Sequence, residues 1–188
     1  MTDDALYWAD FPSEAMSLMP SYESRVSWMR VSERFANNPF WGTDGIDPMD
    51  IRQGAIGDCW FIAAASALSE KPKRLEKLFL DRSGKISKNG IYGINIYTLG
   101  VPHTVIIDDY LPLQYLVQDS GAVYTTVFSQ VGRDQSLWGA ILEKAFAKVY
   151  GNYGHMFSGD PRDGIRSLVG APSLLYTHTS FNVEFIWS

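Results

Sequence analysis

Cysteine is almost missing from this chain: Cys59 is the only one in 188 residues, so no disulfide can form within it. Asn-x-Ser/Thr acceptor sites are missing too, because none of the six asparagines carries a hydroxyl residue at the required spacing. The longest uncharged apolar run, Cys59 to Leu68, is about half what a bilayer-spanning helix needs, which argues against a transmembrane segment. Met1-Thr2-Asp3-Asp4 is acidic where a secretory leader would be basic and then apolar. Nor is there a basic excess. With 16 Lys and Arg against 21 Asp and Glu, the net charge of −5 speaks against nucleic acid or an anionic membrane surface as partner. These absences predict a cytoplasmic, intracellular protein in a reducing setting. At 46% hydrophobic residues, without repeats or low-complexity tracts, the chain reads as a single domain over 1–188 with one core.

The pattern predicts few elements strongly. Ser24 to Phe35 allows a short helix through Val26, Met29 and Phe35. Asn37 to Pro48 is dense in turn formers and delivers the chain to a helix expected from Asp58 to Ser69. Leu75 to Leu80 reads as a second short helix, stopped by Asp81-Arg82-Ser83-Gly84. Gly90 to Leu99 alternates as a strand, Thr104 to Leu111 as its antiparallel partner, and Leu116 to Phe128 as a further strand. Leu137 to Tyr150 carries Trp138, Ile141, Leu142, Ala145, Phe146 and Val149 at helical spacing, with Ser136 as expected N-cap and Gly151 as C-terminal glycine. Gly159 to Gly164 reads as a loop, and Leu174 to Trp187 as a strand pair or the start of something longer.

The chemistry gathers around Cys59. Gly54 and Gly57 precede it in a loop, and an almost wholly apolar segment follows it at once. A thiol at a helix start is favoured as thiolate by first-turn amides and the helix dipole. Gln53, six residues earlier, is a neutral donor for a developing oxyanion, with the Cys59 amide as the second. The glycines would allow a tight approach and leave room over the sulfur. Trp60 would pack the first turn or wall the site.

The segment Gln53-Gly54-Ala55-Ile56-Gly57-Asp58-Cys59-Trp60-Phe61-Ile62-Ala63-Ala64 resembles the cysteine box of the calpain family, calcium-regulated papain-like proteases, and not the Cys-Gly-Ser-Cys-Trp form of papain itself. Asp10-Phe11-Pro12 with Ser17-Leu18, Trp28-Met29-Arg30, Ile107-Asp108-Asp109-Tyr110-Leu111-Pro112 and the run from Leu137 to Gly151 are similar to further family segments, in order. The resemblance implies an α+β fold: the papain-like N-terminal lobe, with a buried helix starting at the cysteine, further helices and a small antiparallel hairpin or sheet. Residues 1–36 would be its lead-in, 37–172 its core and 173–188 the start of a connection to a second lobe. It implies Cys59 as nucleophile, Gln53 as oxyanion donor, protein substrates, and a calcium ion held by the Asp50 and Glu143 carboxylates with the carbonyls of Thr43 and Gly45. The family often has arginine two residues before the Asp50 position, where this chain has Pro48.

The base is what the sequence does not supply. His103 opens a strand, His155 lies in a loop, and His178 follows Cys59 by 119 residues without resembling the family's Gly-His-Ala-Tyr context. Asn182 sits too near His178 to orient it, and Asn38-Pro39-Phe40-Trp41-Gly42 echoes the family's Asn-Pro-Trp-Gly on the wrong side of the cysteine. Asp81-Arg82-Ser83-Gly84 brings its glycine too early for an EF-hand loop, and Asp108-Asp109 reads as structural capping. Two functions remain open: the nucleophile-bearing lobe of a calpain-like endopeptidase, inactive by itself, or a non-catalytic calpain-like binding or regulatory module.

Overall fold

The protein is described here by a computed structural model covering residues 26–118 and 121–174. The expected tail after Leu174, with His178 and Asn182, and the N-terminal segments before Val26 lie outside the described residues. What is described is a mixed α/β arrangement of helices and small antiparallel sheets.

Helix α2, Cys59–Ser69, begins and ends where the apolar run does, and Trp60, Phe61, Ile62, Ala64, Ala65 and Leu68 are all buried. A helix apolar on most of its circumference must be covered on most sides. Helix α4, Trp138–Tyr150, covers one side: Phe61 stacks on Phe146 at 4.3 Å, and Trp60 meets Phe146 edge-on at 5.7 Å. Helix α5, Pro161–Val169, covers another, and it corrects the sequence reading, which expected Gly159 to Gly164 as a loop. Gly159, Pro161 and Gly164 resemble punctuation, but Asp160 is an N-cap whose carboxylate accepts from the Arg162 amide at 2.8 Å, and Pro161 occupies the first turn, where a missing N–H costs nothing. Gly164 faces α2 so closely that an added Cβ would lie 2.8 Å from the Ala64 methyl.

The start of α4 is also a correction. Ser136 does not cap it; the N-cap is Leu137, without a side-chain bond. The amides of Leu137 and Trp138 donate instead to the Phe40 carbonyl, both at 3.1 Å. That gives Asn38-Pro39-Phe40-Trp41-Gly42 a structural role, with Phe40 buried and stacked on Tyr92 at 5.4 Å. Gly151 ends the helix as expected, at φ +102°.

Two sheets flank the helices. Strands β2, Ile91–Thr98, and β3, Val101–Asp108, form an antiparallel hairpin turning at Leu99-Gly100, both at positive φ. β3 thus starts before the expected Thr104, and Pro102 is tolerated on an edge strand. The second sheet runs β1-β4-β5, with β1 at Val26–Arg30, β4 at Tyr110–Gln118 and β5 at Gly121–Thr126. So of the short helix expected over Ser24 to Phe35, residues 26–30 are strand and Val31–Arg34 are helical (α1). The single strand expected from Leu116 is a hairpin, β4 with β5. Between β3 and β4, the Asp109 carboxylate accepts from Arg30 Nη1 at 2.9 Å and from the Ser32 amide at 3.0 Å, while Asp108 pairs with the buried ammonium of Lys144. Helix α3, Pro72–Glu76, lies earlier than expected, because residues 78 to 80 pair with β2: Asn95 N donates to Leu78 O at 2.7 Å and Leu80 N to Gly93 O at 2.9 Å.

Candidate active site

Cys59 is the first residue of α2, and its side chain is exposed on a helix otherwise sunk in the core. Two strips of chain clamp the loop leading to it. On one side Ala55 N donates to Val127 O and Gln130 N to Arg52 O, each at 2.9 Å. Gly54 lies flat on this strip: a Cβ there would fall 1.7 Å from the Phe128 carbonyl. On the other side Ser158 N donates to Gly57 O at 2.9 Å, and a Cβ on Gly57 would meet the Phe157 ring at 2.9 Å. The glycines therefore serve close packing of the loop, and the room expected over the sulfur does not come from them. Trp60 anchors the same side, its indole donating to Met156 O at 2.9 Å while Gly159 lies against its ring.

Gln53 is exposed, and its Nε2 donates to the Ile56 carbonyl at 2.6 Å. A primary amide has two N–H groups, so this bond fixes the side chain while leaving a second donor to offer. The amides of Cys59 and Trp60 have no acceptor inside the helix, since those of Phe61 and Ile62 are the first to bond back, to Asp58 O at 2.8 and 3.1 Å. An exposed sulfur at a helix start, beside uncapped amides, is a place where negative charge is favoured.

The implied calcium ligands are not brought together as a set. Glu143 is buried on α4, accepts from the Ser129 amide at 2.8 Å and faces Asp58, not Asp50. Burial first, and then the charge of Asp58, push its pKa well above the ordinary carboxylate range. Burial raises Asp58 as well. Asp50, also buried, accepts from the Asp47 amide at 2.8 Å and faces Asp134. Its pKa is pushed up to about 6, chiefly by burial and further by Asp134, with the Asp47 amide acting the other way. Asp134 lies where a side chain on Gly42 would be, 1.6 Å from that missing Cβ. Thr43 and Gly45 lie on the same loop as Gly42 and Asp50. Among the described residues no group of three or more His, Cys, Asp or Glu side chains forms a ready metal cluster. Asp134 escaped the sequence reading; its signal was an acidic residue in the turn just before α4.

No described histidine lies within hydrogen-bond reach of the Cys59 sulfur. His103 is exposed on β3 opposite Ile96, and the exposed His155 has its Nδ1 2.9 Å from Tyr150 O. No described helix is long and apolar enough to cross a membrane.

Comparison with known proteins bears on this arrangement directly. The pattern of the calpain family cysteine proteases matches residues 8–187. Calpain-13 of Rattus norvegicus is 32% identical over 165 residues, 85% of this chain and 24% of the relative. The calpain-1 catalytic subunit of Sus scrofa is 34% identical over 165 residues, 81% of this chain and 22% of the relative. A calpain of Schistosoma mansoni is 31% identical, covering 86% and 21% respectively. The chain thus spans about a quarter or less of these relatives, and over almost its whole length, cysteine box included, it belongs to the calpain family of cysteine proteases.

Proposed function

We propose that the chain is the nucleophile-bearing, papain-like lobe of a calpain-type cysteine endopeptidase acting on protein substrates in the cytoplasm. The observation that carries this is the exposed sulfur of Cys59 at the uncapped start of a buried helix, beside an amide side chain pinned by its own loop. In this reading the Cys59 thiolate attacks a peptide carbonyl carbon, and the new C–S bond leaves negative charge on the oxygen. The Cys59 amide and the second N–H of Gln53 receive that charge. Collapse expels the amine, which needs a proton, and water then hydrolyses the thioester. Both proton transfers require a base that no described histidine supplies, so the reading assigns the base and its orienting group to a second lobe in a longer protein. The relatives, four or more times as long as the matched region, support that assignment.

The expected result for residues 1–188 alone is therefore stoichiometric alkylation of Cys59 without peptide turnover, measured with a fluorogenic peptide and by mass spectrometry. Turnover abolished by Cys59→Ala would overturn this and turn attention to His178. In a protein with both lobes, Cys59→Ala should cut turnover by about a thousandfold or more. Retained turnover would sink the nucleophile assignment.

We also propose calcium regulation through this lobe, with Asp134 taking the part first expected of Glu143. Two facing carboxylates, one of them buried, repel when both are ionised, and a divalent cation relieves that. The sign follows from Asp50: its folded pKa of about 6 lies above its ordinary value, so the stability it contributes is full at low pH and lost as pH rises through 6. In chelator, Asp134→Asn should reduce this loss. At pH 7.5, calcium at about a hundred times its Kd should stabilise the parent by about 2.7 kcal/mol, and Asp50→Asn should abolish the effect. Calorimetry showing no calcium-dependent shift in the parent would sink the site.

A further inference from the structure

Asp58 occupies the N-cap position of α2, where an aspartate ordinarily turns its carboxylate back onto the amides of the first turn. Here it makes no such bond. Its side chain is turned into the core, fully buried, and faces Glu143, which is itself 1% exposed. Both Asp58 oxygens and Glu143 Oε1 are sealed from solvent, with only the Asp58 backbone amide near the Asp58 carboxylate, whereas Glu143 Oε2 has the Ser129 amide. Two carboxylates cannot satisfy one another, but a carboxylic acid and a carboxylate can, through one shared proton. Each is the other's titratable neighbour and burial raises both, so one shared proton holds the pair together.

This pairing has a consequence one residue away. An Asp58 carboxylate returned to the helix start would occupy the first-turn amides and set a negative charge beside the Cys59 sulfur. We propose that Glu143 is a positioning residue for Cys59: by holding the Asp58 carboxylate inside the core, it keeps the first-turn amides of α2 open to the sulfur and to a developing oxyanion. The inference rests on the reading of Cys59 as nucleophile. Glu143 touches no reacting atom and acts through Asp58. It also ties α4 to the strip at Ser129, so the group that restrains Asp58 is fixed by the same packing that clamps the cysteine loop.

The lone cysteine makes the test clean. Iodoacetamide alkylation, in which the thiolate displaces iodide to form an S–C bond, is followed against pH in the 188-residue chain, with circular dichroism checking the fold. Glu143→Leu fills the space without a donor. It should slow alkylation at pH 7 about tenfold. Glu143→Met carries the same prediction if the leucine variant does not fold. Glu143→Gln, whose amide donates to Asp58, should bring the parent profile back. So should Asp58→Ala added to Glu143→Leu, since no carboxylate then remains to cover the amides. A role in packing alone would lower the melting temperature in these variants and leave the pH profile where it was, which would overturn the proposal. A parent alkylated at pH 7 no faster than free cysteine would overturn the nucleophile reading and this inference together. A parent rate above that of free cysteine, unchanged in Glu143→Leu, would overturn the inference alone.

Discussion

Lys144→Met should cost about 3–5 kcal/mol, the range for removing one partner of a buried ion pair. The Lys144 side chain is fully buried on α4 and its ammonium pairs with the Asp108 carboxylate. It also donates to Tyr110 O at 2.8 Å and Asp108 O at 3.2 Å, across the junction where β3 passes into β4. Methionine fills the volume but leaves the Asp108 carboxylate in the core without this cation and two carbonyls without this donor. For a domain stable by about 5–15 kcal/mol, such a loss removes a large share of the total. Urea unfolding measures it. Asp108→Leu added to Lys144→Met should recover much of the loss, because the desolvated charge goes with it; a double variant as unstable as the sum of the singles would show that the pair is not what the junction depends on. Lys144→Met costing under about 1 kcal/mol would contradict the burial argument outright.

Gly54→Ala should be nearly as severe, for a reason with no charge in it. The added methyl would fall 1.7 Å from the Phe128 carbonyl and 2.4 Å from that of Val127, both backbone atoms with no rotamer to change. The loop must then part from the strip, stretching the Ala55-to-Val127 and Gln130-to-Arg52 bonds that set Gln53 and Cys59 in place. A loss of about 3 kcal/mol or more is expected, as for other severe backbone and overpacking changes, together with slower alkylation of Cys59. Gly57→Ala is the control. Its methyl would meet the exposed ring of Phe157, a side chain able to swing aside, so its cost should stay under about 1 kcal/mol, like other surface changes. Equal effects at the two glycines would refute this account of the clamp.

The cysteine helix, the long helix through Glu143 and the strand from Ile91 were legible in the sequence because each writes its burial into a local period or an unbroken apolar run. The α5 helix was not, since its glycine and proline read as punctuation until Ala64 is seen across from Gly164. Nor was β1, whose five residues gain their state by pairing with β4 rather than by any alternation of their own. At the candidate site, Cys59 and Gln53 could be picked out from a short box of sequence. The partners of the carboxylates could not. Glu143 meets Asp58, and Asp50 meets Asp134, across more than eighty residues of chain in each case, and nothing local to any of the four signals which pair will form.

The carbonyl of Phe40 that receives the first two amides of α4 bears on how the chain folds. A helix capped by its own side chain can begin on its own; this one is capped by a group almost a hundred residues upstream. Its first turn cannot close at low entropic cost until the segment around Phe40 has come home, so its nucleation carries the loop-closure cost of that distance. The N-terminal turn of α4 is therefore expected late in folding, and the carboxyl pair and the clamped cysteine loop that depend on α4 should mature only once the segment around Phe40 has docked.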